Sequence, residues 1–392
     1  MTFLLKMGSR RKLRFDLDSP TALANLNRLS LSAMETRAHS DTVEHFLGHV
    51  PTRAIEKVLR GMVQRLVRMK VLDHGRLRGH FLLVLDATGQ LHFNHRHCDH
   101  CLERVHHDRS HYYHQVLEAK IVTPEGLAIS IASEFIENDD PKATKQDCEL
   151  KAFKRLAAKI KKQYPQLRFC LCMDALYANG SVLKICEENH WKYFITFKQG
   201  SLPALWTEYQ ALLKLSPANR KVVERSKNIR QEFTWVENLE HIDDRKRCHR
   251  VNAFQCLETC QGEDTVSCFV WLTDFSLLPE DVEELANRGA RCRWKIENEG
   301  FNVQKNGGFN LEHAYSTKLT QMHNWYLLLQ IAHLILQLME RGSLLRQDAK
   351  RSFGSLAGMT RRLWESIRNI LIPDEALDNA AAARIQIRLN SS

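Results

Sequence analysis

The stretch Phe81-Leu82-Leu83-Val84-Leu85-Asp86 decides the fold class of this chain. Five consecutive apolar residues are typical of a short strand that is buried on both faces of a sheet. Ala87-Thr88-Gly89 is a turn signal, so we expect the strand to end at Asp86. A second apolar run, Arg168–Met173, leads to Asp174 in the same way. Because sites in α/β folds lie at the carboxyl ends of central strands, two such strands side by side would bring both carboxylates together.

Further strands and helices are predicted around these two runs. The strands are Gln115–Val122, Leu127–Phe135 and Tyr193–Phe197, and the helices cover about 147–163 and 180–189. Thr123-Pro124-Glu125-Gly126 has the composition of a hairpin turn between the first two of these strands. The resulting order of strand, strand, strand, helix, strand, helix, strand indicates an α/β domain.

The pattern changes on both sides of this core. The first 75 residues are expected to be helical, with an apolar stripe from Thr52 to Val67. Residues 200–280 predict a β-rich insertion, with strands at Glu232–Val236, Val251–Leu257 and Val266–Leu272. A helix is then expected from near Pro279 to about Lys305. We interpret Trp325–Met339 as a buried helix, since it is shorter than the roughly 20 residues that a membrane span needs.

The chain is basic, with a formal net charge of +10 and a pI near 9.1. This charge favours a polyanionic partner, nucleic acid before an anionic membrane surface. Basic residues are concentrated in the first 80 residues, where Arg10, Arg11 and Lys12 begin a cluster that we interpret as DNA-binding. The alternative is a solvated helical face. The 11 cysteines are thinly spread and Phe3-Leu4-Leu5 is too short for a secretory signal, so we expect a reduced, cytoplasmic setting and no membrane partner.

A third carboxylate is predicted to face the same point from the late helix. Six residues of this helix form one apolar stripe: Leu285, Gly289, Cys292, Ile296, Gly300 and Val303. Glu297 lies one position beyond the stripe, and Arg293 lies one turn earlier on the same side. Three converging carboxylates repel one another unless cations lie between them. Oxygen ligands suit two Mg²⁺ or Mn²⁺ ions roughly 3.5–4 Å apart, which would hold the attacking and leaving oxygens of a phosphoryl transfer.

Each of the three acids, taken singly, has another explanation. An Asp after a strand is often a turn residue, and a helical Glu near an Arg is often part of a surface ion pair. The combination is more informative, because two strand ends and one helix match a single geometry.

A second group of possible ligands lies between the first two predicted strands. Cys98 and Cys101 have the spacing of a zinc knuckle, which is half of a tetrahedral site. Several histidines follow, and we expect His111 and His114 to complete a structural Zn²⁺ site. The alternative is a polar loop with incidental Cys and His residues.

The stretch Arg291–Lys305 resembles the catalytic helix of bacterial insertion-sequence transposases of the DDE type. The resemblance covers roughly residues 35–340, and its shorter matching stretches are Leu83–Gly89, Lys145–Glu149, Met173–Tyr177 and Asn310–Ser316. It implies an RNase H-like three-layer α/β domain with a β-strand insertion, in which Asp86, Asp174 and Glu297 are the metal-binding triad. In that family a Tyr, an Arg, a Glu and a Lys share the helix. Arg293 and Glu297 match, whereas Ala290 and Gln304 stand at the Tyr and Lys positions and Lys305 comes one residue later.

Pattern and resemblance together divide the chain into five parts. They are a helical N-terminal segment for DNA binding or dimerisation (1–78), the first part of the RNase H-like core (79–200), the β-rich insertion (201–280), the second part of the core with the catalytic helix (281–340) and a helical C-terminal tail (341–392). We expect DNA contacts from Arg293, Lys305 and Lys198.

The activity implied by the resemblance is cutting and joining of DNA. Water would first cut one strand at the end of the element, and the freed 3′-hydroxyl would then attack the opposite strand or target DNA. The partners would be double-stranded DNA, as terminal repeats and target, and a second copy of the chain on that DNA, at the nucleoid of a bacterial cytoplasm. Two alternatives stay open: a structure-specific metal nuclease of the same fold, and a DNA-binding derivative that no longer catalyses.

Overall fold

The computed structural model describes residues 1–139, 145–226, 228–262, 265–343, 345, 353–383 and 386–389. Parts of the predicted C-terminal tail (344, 346–352, 384–385 and 390–392) lie outside the described residues. The chain forms two compact units. One unit comprises Asp73–Glu299, and we call it the sheet unit. The other combines Met1–Leu72 with Gly300–Ser392, and we call it the helical unit.

The sheet unit is built on one mixed β-sheet. Its described strands are β1 (Phe81–Phe93), β2 (Leu102–His106), β3 (Arg109–Val122), β4 (Ala128–Ile136), β5 (Phe169–Met173), β6 (Lys192–Thr196), β7 (Arg220–Ser226), β8 (Ile229–Ile242), β9 (Cys248–Cys260) and β10 (Val266–Thr273). They follow the order β2-β3-β1-β5-β6-β10-β9-β8-β7, and β4 also pairs with β3. β5 runs parallel to both β1 and β6, whereas the other pairs are antiparallel. The fold is therefore mixed α/β, as the sequence pattern predicts.

Helices and helical turns connect these strands and build the helical unit. In chain order they are α1 (Arg10–Asp16), α2 (Pro20–Ser30), α3 (Ser40–His49), α4 (Thr52–Arg68), α5 (Glu149–Gln163), α6 (Gly180–Asn189), α7 (Pro203–Leu215), α8 (Val282–Glu284), α9 (Asn302–Asn306), α10 (Leu319–Arg341), α11 (Leu356–Asn369) and α12 (Asp374–Ala382). Short 3₁₀ turns occupy Asp73–Gly75 and Ala175–Tyr177. α5 buries the stripe of Phe153, Leu156 and Ile160 at its 3.6-residue period and packs on β4.

The core of the helical unit is α10, which packs against α3 and α4. The predicted buried helix Trp325–Met339 is confirmed, because most α10 side chains are buried on every face. The buried Asn324 is hydrogen-bonded inside the unit: its amide donates to the carbonyls of Leu47 at 2.7 Å and Val50 at 2.8 Å. Among the described residues, no helix has both the length and the apolar character that crossing a membrane requires.

Most of the predicted strands and helices are present, and two predictions are wrong. The predicted end of the first strand is wrong, because β1 continues through Asp86 to Phe93 against the 14-residue partner β3. The turn signal Ala87-Thr88-Gly89 is absorbed by a register shift between Gly89 and Leu91. The region 200–280 also begins with helix α7, which we did not predict. Its buried contacts, Leu205 and Tyr209, are too few to show a clear stripe.

Candidate active site

Asp86 and Asp174 are brought to the same level by the pairing of β1 with β5. The two strands are parallel, and Val84 stands opposite Cys172. Two residues further along each strand, on the same face, are Asp86 and Asp174. The Asp86 carboxylate accepts a hydrogen bond from the N–H of Ala87 at 3.0 Å, and Asp174 accepts one from the N–H of Leu176 at 2.9 Å. The backbone therefore restrains both side chains at one position of the sheet.

Glu297 is electrostatically coupled to this pair. Burial raises the pKa of Asp86 to about 6, the positive charge of Arg293 opposes the increase, and the negative charges of Asp174 and Glu297 add to it. The Arg293 guanidinium lies 3.9 Å from the Asp86 carboxylate. The three predicted acids and the predicted Arg are thus neighbours in the folded chain, although they come from three separate segments.

A fourth acid, Glu149, belongs to the same group and was missed by our sequence analysis. It is the first residue of α5, and the Tyr177 hydroxyl donates a 2.7 Å hydrogen bond to its carboxylate. Burial raises the pKa of Glu149 to about 7; the hydrogen bond from Tyr177 opposes the increase, and the charges of Asp174 and Asp86 add to it. The signal was present, because Glu149 ends one of the stretches that resemble the transposases.

The segment that carries Arg293 and Glu297 is helical, as predicted, but its winding is irregular. A π-helix spans Leu285–Gly289, a 3₁₀-helix spans Ala290–Trp294 and a second π-helix spans Ile296–Phe301. The change of winding occurs at Gly289, where an added Cβ would lie 2.6 Å from the Phe194 ring of β6. Only glycine allows this close approach of helix and strand. Such π-bulges inside helices often mark functional sites.

The predicted apolar stripe is largely confirmed in spite of the irregular winding. Five of its residues are buried, namely Leu285, Gly289, Cys292, Ile296 and Gly300, and Val303 is partly buried.

Gln304, which stands where the resembling transposases have a Lys, has a structural role in the helical unit. Its side chain is fully buried and donates to Gln330 at 2.8 Å and to a His333 ring nitrogen at 2.9 Å. A long cation at this position would lose that network.

A cavity of about 880 Å³ opens beside the two aspartates. Asp86 and Asp174 form part of its wall, together with Arg293 and the exposed Lys198, whereas Glu297 lies outside the lining. Five aromatic side chains also line the cavity: Phe197, Trp206, Phe269, Trp271 and Trp294. Arg293 stacks over the Trp294 ring, with its guanidinium carbon 4.3 Å from the ring centre. Cations and aromatic rings beside carboxylates suit a nucleic-acid substrate.

The remaining predicted DNA contacts belong to the helical unit and are of two kinds. Arg11 and Lys12 are exposed on α1. Arg10 instead forms an ion pair with Glu44, and Lys305 forms one with Glu312 at 3.2 Å. Arg11 and Lys12 are therefore better placed to bind phosphate than the two paired cations.

The predicted zinc ligands are only partly brought together. Cys98, Cys101 and His114 form one cluster in which all ligand atoms lie within 4.8 Å of one another. Including His111 was wrong. It lies three residues from His114 on β3, and since side chains alternate along a strand, it points to the opposite face, where it is exposed.

The acidic group fits divalent cations with oxygen ligands. Its donors are carboxylates only and they are partly buried. Neighbouring carboxylate charges contribute to the raised pKa values of Asp86 and Glu149, so a bound cation would relieve this repulsion. The oxygens of Asp86, Asp174 and Glu297 do not all lie within 4.8 Å of one another. No family model matches this chain, and no curated protein matches it either.

Proposed function

We propose that the chain is a DDE-type DNA transposase that cuts DNA at the ends of a mobile element and joins the cut ends to target DNA. The observation that carries this proposal is the convergence of Asp86, Asp174 and Glu297. They come from β1, the end of β5 and the irregular helix, and the charges of Asp174 and Glu297 both raise the pKa of Asp86. The adjoining cavity contributes cations and aromatic rings suited to DNA.

The strand order supports an RNase H-like core for this activity. Three antiparallel neighbours, β4, β3 and β1, are followed by β5 and β6, which run parallel to β1. The insertion strands β7–β10 continue the same sheet from β6 and precede the helix with the last acid. This is the arrangement that the resemblance implies: a core interrupted by a β insertion.

The residues of the site have distinct roles in the proposed reaction. Asp86, Asp174 and Glu297 would hold Mg²⁺ or Mn²⁺, so these carboxylates act as ligands and not as proton shuttles. The ions, when bound, would supply charge stabilisation for the phosphoryl transfer. Arg293 compensates the acidic charge and, with Lys198, can bind a DNA phosphate at the cavity. Glu149 accepts a hydrogen bond from Tyr177, and its raised pKa means that it is protonated more readily than an ordinary carboxyl group.

The reaction consists of two phosphoryl transfers on this site. Hydrolysis of one P–O bond at the element end leaves a 3′-hydroxyl. That hydroxyl then attacks a phosphorus atom of the opposite strand or of target DNA, and a second 3′-oxygen leaves. We expect a homodimer to carry this out on double-stranded DNA in a bacterial cytoplasm, because the two ends of an element must be held together.

The test uses DNA that carries the sequences flanking the gene for this chain. The purified protein is mixed with this DNA and Mg²⁺ or Mn²⁺, and the breaks are mapped beside those of Asp86→Asn. Metal-dependent nicks at a defined end, followed by strand-joined products, are the expected result. Breaks without joining would indicate the nuclease instead, and specific binding without breaks in either metal would indicate a DNA-binding derivative.

A further inference from the structure

A second cluster of ligand atoms lies in the sheet unit, in the segment that joins β1 to β3. The two thiol sulfurs of Cys98 and Cys101 are 3.6 Å apart. The Nε2 atom of His114 lies 3.5 Å from the Cys98 sulfur and 3.4 Å from the Cys101 sulfur. Cys101 and His114 are buried, and Cys98 is partly exposed. The three atoms form a nearly equilateral triangle.

We propose that Cys98, Cys101 and His114 bind one structural Zn²⁺ ion. In a tetrahedral site, Zn–S bonds of about 2.3 Å and Zn–N bonds of about 2.0–2.1 Å put two sulfurs about 3.8 Å apart and a sulfur about 3.6 Å from a nitrogen. The three observed distances are within 0.2 Å of these values. A disulfide needs its sulfurs at about 2.05 Å, so the triangle does not fit an oxidised pair.

The local fold explains why these three residues meet. Cys98 and Cys101 enclose a tight turn in which the Cys101 N–H donates to the Cys98 carbonyl at 3.4 Å, and β2 begins at the next residue. His114 lies on β3 opposite Leu91 of β1, and the Phe93 ring meets its imidazole edge to face at 6.3 Å. The ion would therefore fasten the turn before β2 to the middle of β3.

The ion would also stabilise the position of β1, the strand that carries Asp86. The register of β1 against β3 shifts between Gly89 and Leu91, immediately before the pair formed by Leu91 and His114. A metal crosslink at His114 would hold the outer part of both strands in this register. Binding releases the two thiol protons, because zinc is bound by thiolate, while the imidazole binds as the neutral form. Three protein ligands leave the fourth position of a tetrahedral zinc ion to a water molecule or another ligand.

The test measures metal content in the full-length protein, independently of DNA cleavage. The protein is purified without chelator, and zinc is quantified by mass spectrometry for wild type, Cys101→Ser, His114→Ala and His111→Ala. We expect about one zinc per chain in wild type and in His111→Ala, and a loss of most of it in the other two. His111→Ala is the matched control, since it removes an imidazole of the same strand that faces away.

Replacement of zinc by cobalt in the wild type guards against variants that fail to fold. Co²⁺ bound by these ligands would give thiolate-to-cobalt charge-transfer absorption, and hydrogen exchange after chelation would increase in 94–114 but not in β7–β10. Less than half an equivalent of zinc in folded wild-type protein, or loss of zinc in His111→Ala, would overturn the proposal. Neither result depends on whether the chain is a transposase, since no DNA is present.

Discussion

The carboxylate group around Asp86 and the thiol cluster around Cys98 are both candidate metal sites on the β1–β3 side of the sheet, yet they are built in opposite ways. The carboxylates come from residues spread between 86 and 297, and their charges repel one another. The thiol cluster comes from 17 consecutive residues, 98–114, and is uncharged while its thiols keep their protons. Carboxylates that repel one another without a cation suit a site that binds metal ions together with a DNA phosphate. A compact cluster from one short segment suits a structural ion that stabilises a loop.

The largest expected effect is the loss of cleavage when one acid of the triad is neutralised. Asp86→Asn, Asp174→Asn and Glu297→Gln should each lower the cleavage rate by roughly 1,000-fold or more, because a missing ligand removes several kcal/mol of transition-state stabilisation. Gel shifts should show nearly unchanged DNA affinity. Glu299→Gln is the matched control, since Glu299 pairs with Lys295 at 3.3 Å. A triad variant that cleaves like the control would not be part of the site.

The next effect concerns the charge balance of the carboxylate group. Arg293→Ala should raise the pKa of Asp86 above about 6, because Arg293 opposes the increase caused by burial. A protonated carboxyl binds cations poorly, so the acid limb of the pH–rate profile should move to higher pH, with a rate loss of roughly 10- to 100-fold at pH 7. Arg288→Ala, which removes an exposed pair with Glu284, serves as the control. If the acid limb does not move, Arg293 does not affect the protonation of Asp86 in the active enzyme.

The close approach at Gly289 should be sensitive to a single methyl group. In Gly289→Ala the new Cβ would meet the Phe194 ring at 2.6 Å, so we expect a loss of roughly 1–3 kcal/mol in the free energy of unfolding. Urea denaturation measures this loss. Gly200→Ala is the control, because an added Cβ there has no atom within 4 Å. Equal stability of the two variants would show that the irregular helix can move away from β6.

The metal-free protein should be more stable when the carboxylate repulsion is removed. The pKa of Asp86 is raised by burial to about 6, so the folded chain holds a proton that the unfolded chain loses near pH 4. Its stability therefore falls as the pH rises from about 4 to about 6. Asp86→Asn lacks this fall and should be more stable at pH 7 by roughly 1–3 kcal/mol in chelator, but not at pH 4.

Thermal denaturation at both pH values, with and without Mg²⁺, tests this prediction. Mg²⁺ should stabilise the wild type and leave Asp86→Asn nearly unchanged. Cys101→Ser should behave in the opposite way, with lower stability at pH 7 than the wild type but the same stabilisation by Mg²⁺, because its carboxylates are intact. If Asp86→Asn is less stable than the wild type in chelator, the carboxylate group does not destabilise the metal-free protein, and this contrast with the thiol cluster is wrong.

The smallest effects are expected from the N-terminal cations. Arg11→Ala or Lys12→Ala should weaken DNA binding only a few-fold and lower the slope of log affinity against log salt by about 1 each. Arg10→Ala should leave that slope unchanged and reduce thermal stability instead, since Arg10 pairs with Glu44. Binding measured over a salt series separates the two outcomes. A reduced slope in Arg10→Ala would mean that the ion pair opens on DNA.

Local patterns predicted much of the fold because burial repeats at short range. The apolar run before Asp174, the hairpin turn at Thr123–Gly126 and the stripe on the late helix each depend on neighbours in sequence, and each is present. The end of β1 was mispredicted because a 14-residue partner strand overrides a turn signal by pairing through it. Likewise, the close contact of Gly289 with Phe194, where the winding of the helix changes, joins residues far apart in the chain, so no local pattern predicts it.

The sequence by itself determined which chemical groups are available: acids after apolar runs, an Arg and a Glu on one helix, and two cysteines near several histidines. Only the tertiary structure decided which of them meet. Glu149 joins the carboxylates because α5 starts beside Tyr177, and His114 rather than His111 joins the cysteines because it lies on the buried face of β3. The physical reason is that strand register and helix packing bring together residues far apart in the chain, and charge and coordination depend on distance in space.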